Sequence, residues 1–145
     1  MSIIVKKFKQ QEKRWDLFID QSNNGTLFHK RKFLNYHPAD RFLDHSLIFE
    51  KKGHIIGLLP AVIEKNSLIS HPGASMGSCV VREKLSFADS LEMVKGLSDY
   101  AILNQIDRIQ LTQPPIIYQK YLSQYMDFAF MKEGYSYIRR DLSSY

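Results

Sequence analysis

The chain has a single cysteine and a single tryptophan among 145 residues. One thiol, Cys79, cannot close an internal disulfide, which suits a reducing compartment and a cytoplasmic location. Beside Val80 and Val81 it reads as a buried thiol, since a reactive one needs nearby positive charge. No apolar run approaches the roughly 20 residues that span a bilayer. The start, Met1 to Lys7, has too short an apolar stretch for a secretory signal. Neither Gly-x-x-x-x-Gly-Lys-[Ser/Thr] nor Gly-x-Gly-x-x-Gly occurs, so both standard phosphate loops are missing. The histidines, His29, His37, His45, His54 and His71, match no zinc spacing, so no metal site is expected. Signatures of helix-turn-helix, zinc-finger and aromatic RNA-binding modules are absent as well, and specific nucleic-acid binding is not expected.

What is present is an ordinary globular composition, 44% hydrophobic and 24% charged, in one domain of 145 residues. The net charge of +5 comes from scattered groups, among them Lys30-Arg31-Lys32 and Arg139-Arg140. This fits a solvated basic surface or an anionic partner.

Periodicity sets the elements. Ile3 to Val5 reads as a strand, and Gln10 to Ser22 as a helix with Trp15, Phe18 and Ile19 inward. Asn23-Asn24-Gly25 stops that helix. Lys30 to Tyr36 predicts a short second helix, which Pro38 ends. Ser46 to Glu50 and Ile55 to Ile63 flank a glycine turn at Gly53 and predict an antiparallel hairpin. Leu68-Ile69 and Cys79 to Val81 read as further strands. Ser86 with Asp89 resembles a capping box opening a helix to about Leu103. A strand follows around Ile109 and Leu111, then a helix from Tyr121 to Lys132 closed by Gly134. A terminal strand is expected over Tyr135 to Leu142. Strands interleaved with helices, plus a hairpin, imply an α/β (α+β) fold with a mixed, mainly antiparallel sheet.

The candidate site starts from Ser70-His71-Pro72-Gly73-Ala74-Ser75-Met76-Gly77-Ser78, a small-residue loop between apolar runs. Its glycines leave the peptide groups accessible, so Gly73, Ser75 and Gly77 are candidate substrate contacts. A tight connection that needs small residues is the other reading. His71 is the candidate proton carrier or ligand contact, because imidazole titrates near neutral pH; a loop histidine bonded to backbone is the other and favoured reading. Ser75 between Gly73 and Gly77 has the letters of a hydrolase elbow, but an apolar strand pattern follows where an elbow needs a helix. Arg41, between Asp40 and Asp44, is a candidate cleft-edge group or a plain surface ion pair. Tyr118, after the strand end at Pro114-Pro115 where α/β sheets commonly bind ligands, is a candidate substrate contact, with a packed aromatic as the other reading. No catalytic residue is assigned.

Several segments together resemble the first half of Fem-like proteins, a branch of the GNAT acyltransferase superfamily linked to peptidoglycan bridge formation. They are Trp15 with Phe18, Gly25-Thr26-Leu27-Phe28-His29, Phe33 to Pro38, Asp44 to Leu47, Leu59-Pro60-Ala61, Ser70 to Gly73 and Pro114 to Tyr118. The resemblance implies one GNAT-like domain over residues 1–145, the N-terminal half of a two-half protein. It implies an acyl- or aminoacyl-transferase, or its substrate-binding half, acting on a cell-envelope precursor of peptidoglycan type. The alternative is a non-catalytic ligand-binding module that needs a partner domain or subunit, either the second half or a second copy. The [Gln/Arg]-x-x-Gly-x-[Gly/Ala] loop usual for acyl-CoA is missing, so no cofactor is bound by a recognisable motif; acyl-CoA or aminoacyl-tRNA is the implied donor.

Overall fold

The computed structural model describes residues 3–35, 43–71 and 77–138. Arg41, Gly73 and Ser75 from the candidate set lie outside the described residues, as do Tyr36, Pro38 and Arg139-Arg140. Two sheets carry the fold. In the first, β1 (Ile4–Lys7), β2 (Leu47–Lys51), β3 (His54–Leu59) and β6 (Val80–Val81) are antiparallel in the order β1-β2-β3-β6. In the second, β4 (Ala61–Glu64) pairs antiparallel with β5 (Ser67–Ser70), and β5 pairs parallel with β7 (Arg108–Gln110). The mixed, mainly antiparallel arrangement expected from the sequence is thus observed.

The hairpin between β2 and β3 turns at Lys52 (φ 52°) and Gly53 (φ 79°). Positive φ at both central residues is the turn whose twist matches paired strands, and glycine takes it without strain. The run Ile55 to Ile63 is not one strand. Pro60, which has no N–H to donate, separates β3 from β4 and lets the chain pass from one sheet to the other.

Among the described residues four helices flank the sheets: α1 (Glu12–Gln21), α2 (Arg31–Leu34), α3 (Phe87–Leu103) and α4 (Tyr125–Lys132). Helix α2 is shorter than predicted, and its Arg31 is as buried as its Leu34. The Ser86 hydroxyl caps α3, accepting the Asp89 N–H at 3.1 Å. Met93, Val94 and Leu97 of α3 pack on Phe49, Ile56 and Leu59 to form the larger core cluster. At Gly57 the approach is so close that a Cβ would meet the Met93 side chain. A smaller cluster on the other side joins Trp15 and Ile19 of α1 to Ile48, Leu58 and Val80.

The predicted terminal strand is not seen over Tyr135–Ile138. There the Tyr135 N–H donates to the Phe130 carbonyl at 2.9 Å and its ring meets that of Phe130, so the chain folds back on α4. The remainder of that expectation, residues 139–142, lies outside the described residues. No helix among them is long and apolar enough to cross a membrane.

Candidate functional site

Strand β6 is the edge of its sheet, and its exposed main chain is met by side chains from the turn after α1. The Asn24 carboxamide donates to the Cys79 carbonyl at 3.0 Å and accepts the Val81 N–H at 2.9 Å. The Asn23 N–H donates to the Val81 carbonyl at 2.8 Å. On its other side Asn23 holds Lys120 and Tyr121: its carbonyl accepts the Lys120 N–H at 2.9 Å, and its carboxamide bonds both polar groups of the Tyr121 backbone. Asn23 and Asn24 thus act as a short surrogate strand between β6 and the segment that follows β7.

Further back, the same two chain segments meet directly. The Gly77 and Ser78 N–H groups donate to the Thr112 carbonyl at 3.0 and 3.1 Å, and the Thr112 N–H donates to the Ser70 hydroxyl at 2.8 Å. Beyond that junction the segments diverge, leaving a recess of about 60 Å³ walled by Ser78, Cys79, Pro114 and Asp127. Burial pushes the Cys79 thiol up to about 12, so it stays protonated and unreactive at neutral pH.

The recess adjoins a groove of about 1140 Å³ at the N-terminal end of α3. The groove is lined by Arg82, Lys84 and Ser86, from the turn between β6 and α3, and by the apolar side chains of Ile116, Leu122, Tyr125 and Phe128. The Phe87 ring packs edge-on against Tyr125 at 5.6 Å and Phe128 at 5.5 Å. Among the described residues no Asp, Glu, His or Cys lines the groove. Asp89, in the first turn of α3, pairs with Lys51 at 2.7 Å and with the groove's own Arg82 at 3.3 Å, a placement the helix dipole favours. Positive charge, the outward N–H groups of a helix end and apolar side chains together suit a ligand with an anionic and a hydrophobic part.

The sequence-based candidates are not gathered at this groove. His71 is buried, its N–H donating to the Pro60 carbonyl at 3.3 Å, and it lines neither the groove nor the recess. Gly77 lies against Ser70, where a Cβ would come to 3.0 Å from the serine Cβ, so a side chain there would push its neighbour by a few tenths of an ångström. Tyr118 is half-exposed in the 3₁₀ turn Ile116–Tyr118, between Ile116 and Gln119, which both line the groove. Asp44 bonds the buried Arg31 at 3.2 Å. That guanidinium also donates to Ser46 and Asn35 and stands 4.3 Å from the Phe8 ring centroid, which makes the cluster a packing element. His45 Nε2 meets the Tyr100 hydroxyl at 2.7 Å, and burial, aided by Lys7, pulls the imidazole below its usual range. Arg82, Lys84, Phe87, Tyr125 and Phe128 escape a sequence reading because they come from distant segments. The one signal was the pair of cations between a strand and a capped helix.

No protein-family model matches the chain, and no curated protein matches it in sequence. Among solved structures it is similar to a GNAT family acetyltransferase from Staphylococcus aureus subsp. aureus USA300_TCH1516, with a TM-score of 0.50 at 13% identity. The match covers 100% of this chain and 99% of that one. The fold is therefore GNAT-like, in agreement with the superfamily-level part of the resemblance drawn from the sequence.

Proposed function

We propose that this chain is an acyl- or aminoacyl-transferase domain whose donor lies in the groove at the N-terminus of α3. The observation that carries the reading is that groove: lined by Arg82 and Lys84 with no carboxylate among the described residues that line it, on a GNAT-like fold. A donor's phosphates would meet Arg82, Lys84 and the α3 end, and an amine or hydroxyl of the acceptor would attack the activated carbonyl. Rate enhancement would then come from holding the reactants together. The resemblance to Fem-like proteins extends the reading to a cell-envelope acceptor of peptidoglycan type, a cytoplasmic location and a second GNAT-like half or partner subunit. Acyl-CoA and aminoacyl-tRNA are the donors to try.

A second reading has an observation in its favour. Among the described residues the groove lining holds no Asp, Glu, His or Cys, the usual groups for removing a proton. That favours a binding module that depends on another domain for chemistry. Assaying the full chain with both donors and a peptidoglycan-precursor acceptor separates the two. Turnover supports the transferase; saturable donor binding without turnover supports the module.

A further inference from the structure

The positive charge of the chain is concentrated, not spread. Residues 4–14 carry five cations against Glu12, and residues 50–52 carry Lys51 and Lys52 against Glu50. Seven cations against two acids give +5, the whole net charge of the chain; the other 13 cations are balanced by 13 acids. The fold joins the two segments at one corner. Strand β1 pairs with β2, so Lys6 and Lys7 run beside the hairpin. Lys6 and Arg14 both reach Glu50, and the Arg14 guanidinium donates to the Gly53 carbonyl in the hairpin turn at 3.2 Å. Lys51 is held by Asp89, but Lys7, Lys9, Lys13 and Lys52 are exposed and make no ion pair among the described residues. Exposed aliphatic side chains stand among them: Ile4, 63% exposed, two residues before Lys6 on the same side of β1, and Leu17, 57% exposed, one turn beyond Lys13 on α1. Phe8 within the first segment and Trp15 just after it are buried, and neither the groove nor the recess includes a residue of either segment. Among the described residues the corner thus offers no exposed ring for a base to stack on and no channel for a strand.

We propose that this corner docks the chain on an anionic lipid surface. The uncommitted lysines lie over the phospholipid headgroups, and Ile4 and Leu17 rest against the boundary with the acyl chains. Lysine suits the task, since a compact charge on a long stem follows a diffuse negative field without a fixed partner geometry. A nucleic-acid duplex carries the same charge, but its phosphates are typically gripped by arginine forks as well. Arg14, the one arginine of the corner, is already engaged by Glu50 and Gly53. This inference goes beyond the transferase reading and does not depend on the groove.

Co-sedimentation of the full chain with vesicles of equal parts phosphatidylglycerol and phosphatidylcholine tests it. Binding is expected at about 0.1 M salt, with release at about 0.5 M, because screening shortens the reach of the field. Vesicles of phosphatidylcholine alone should not bind. Replacing two uncommitted lysines of the corner, Lys9→Gln with Lys52→Gln, should weaken partitioning at least about tenfold. Lys65→Gln with Lys132→Gln removes the same charge from other parts of the surface and should change partitioning less than about twofold. Neither pair lines the groove, so donor binding serves as the check that both variants are folded. Equal weakening by the two pairs overturns the proposal, as does equal binding to phosphatidylcholine alone. So does a failure to bind the anionic vesicles at the lower salt. Tighter binding to a duplex oligonucleotide than to the anionic vesicles would assign the corner to nucleic acid and overturn it too.

Discussion

Asn23 and Tyr121 exchange a pair of hydrogen bonds across the chain: the Tyr121 N–H donates to Asn23 Oδ1 at 2.8 Å, and Asn23 Nδ2 donates to the Tyr121 carbonyl at 3.0 Å. One side chain, itself buried, thereby satisfies both polar groups of a residue that lines the groove. Asn23→Ala leaves them without that partner, and a loss of about 1–3 kcal/mol in stability is expected. Chemical denaturation measures the loss, and hydrogen exchange should show faster exchange of the Tyr121 amide. An unchanged Tyr121 amide would mean that the stitch does not hold the groove wall.

Met93 lies where a side chain at Gly57 would go. Gly57→Ala should therefore cost about 1–3 kcal/mol through overpacking. The cost should shrink when the same change is made in a Met93→Ala background, because the space is then open. Equal costs in both backgrounds would place the constraint in the backbone rather than in the contact.

His29 is fully buried, and its Nδ1 accepts the Thr26 N–H at 3.0 Å. Burial, the largest cause, lowers its pKa to about 4. Unfolded, the ring binds a proton near pH 6.5; folded, only near 4. The neutral ring's contribution is complete above the unfolded value and is lost as pH falls from there toward 4, by about 3 kcal/mol. Unfolding free energy measured across that range should drop accordingly. His29→Gln keeps a group able to accept the capping bond and should flatten the drop. A slope that survives in this variant would assign the titration elsewhere.

Cys79, buried with its pKa raised to about 12, should resist a thiol reagent in the native protein at neutral pH and react once denaturant is added. Prompt native-state labelling would contradict the closed recess.

Much of the fold was legible because its signals are local. Ser86 followed by Asp89 and a helical apolar period fixes α3 over Phe87–Leu103, as expected from the sequence, and Gly53 fixes the hairpin. The errors are non-local. Residues Tyr121 to Gln124 carry a helical pattern, yet α4 starts at Tyr125 because the Tyr121 main chain is committed to Asn23. Asn23-Asn24 read as a helix stop; that they also pair with a strand edge depends on residues more than fifty positions away. The site was less legible still. The small-residue loop stands out in the sequence, but its described ends are pinned to Thr112 and Pro60. The groove is assembled from the turn before α3 and the segment around α4, neither of which carries a motif.

The central claim, that an acyl donor sits at the N-terminus of α3, is tested most directly by hydrogen exchange of the full chain with and without acyl-CoA or aminoacyl-tRNA. Slowed exchange in the first turn of α3 and around Ser123 to Phe128 is the predicted result. Protection confined to the segments around His71 and Gly77, or none at saturating donor, would contradict it.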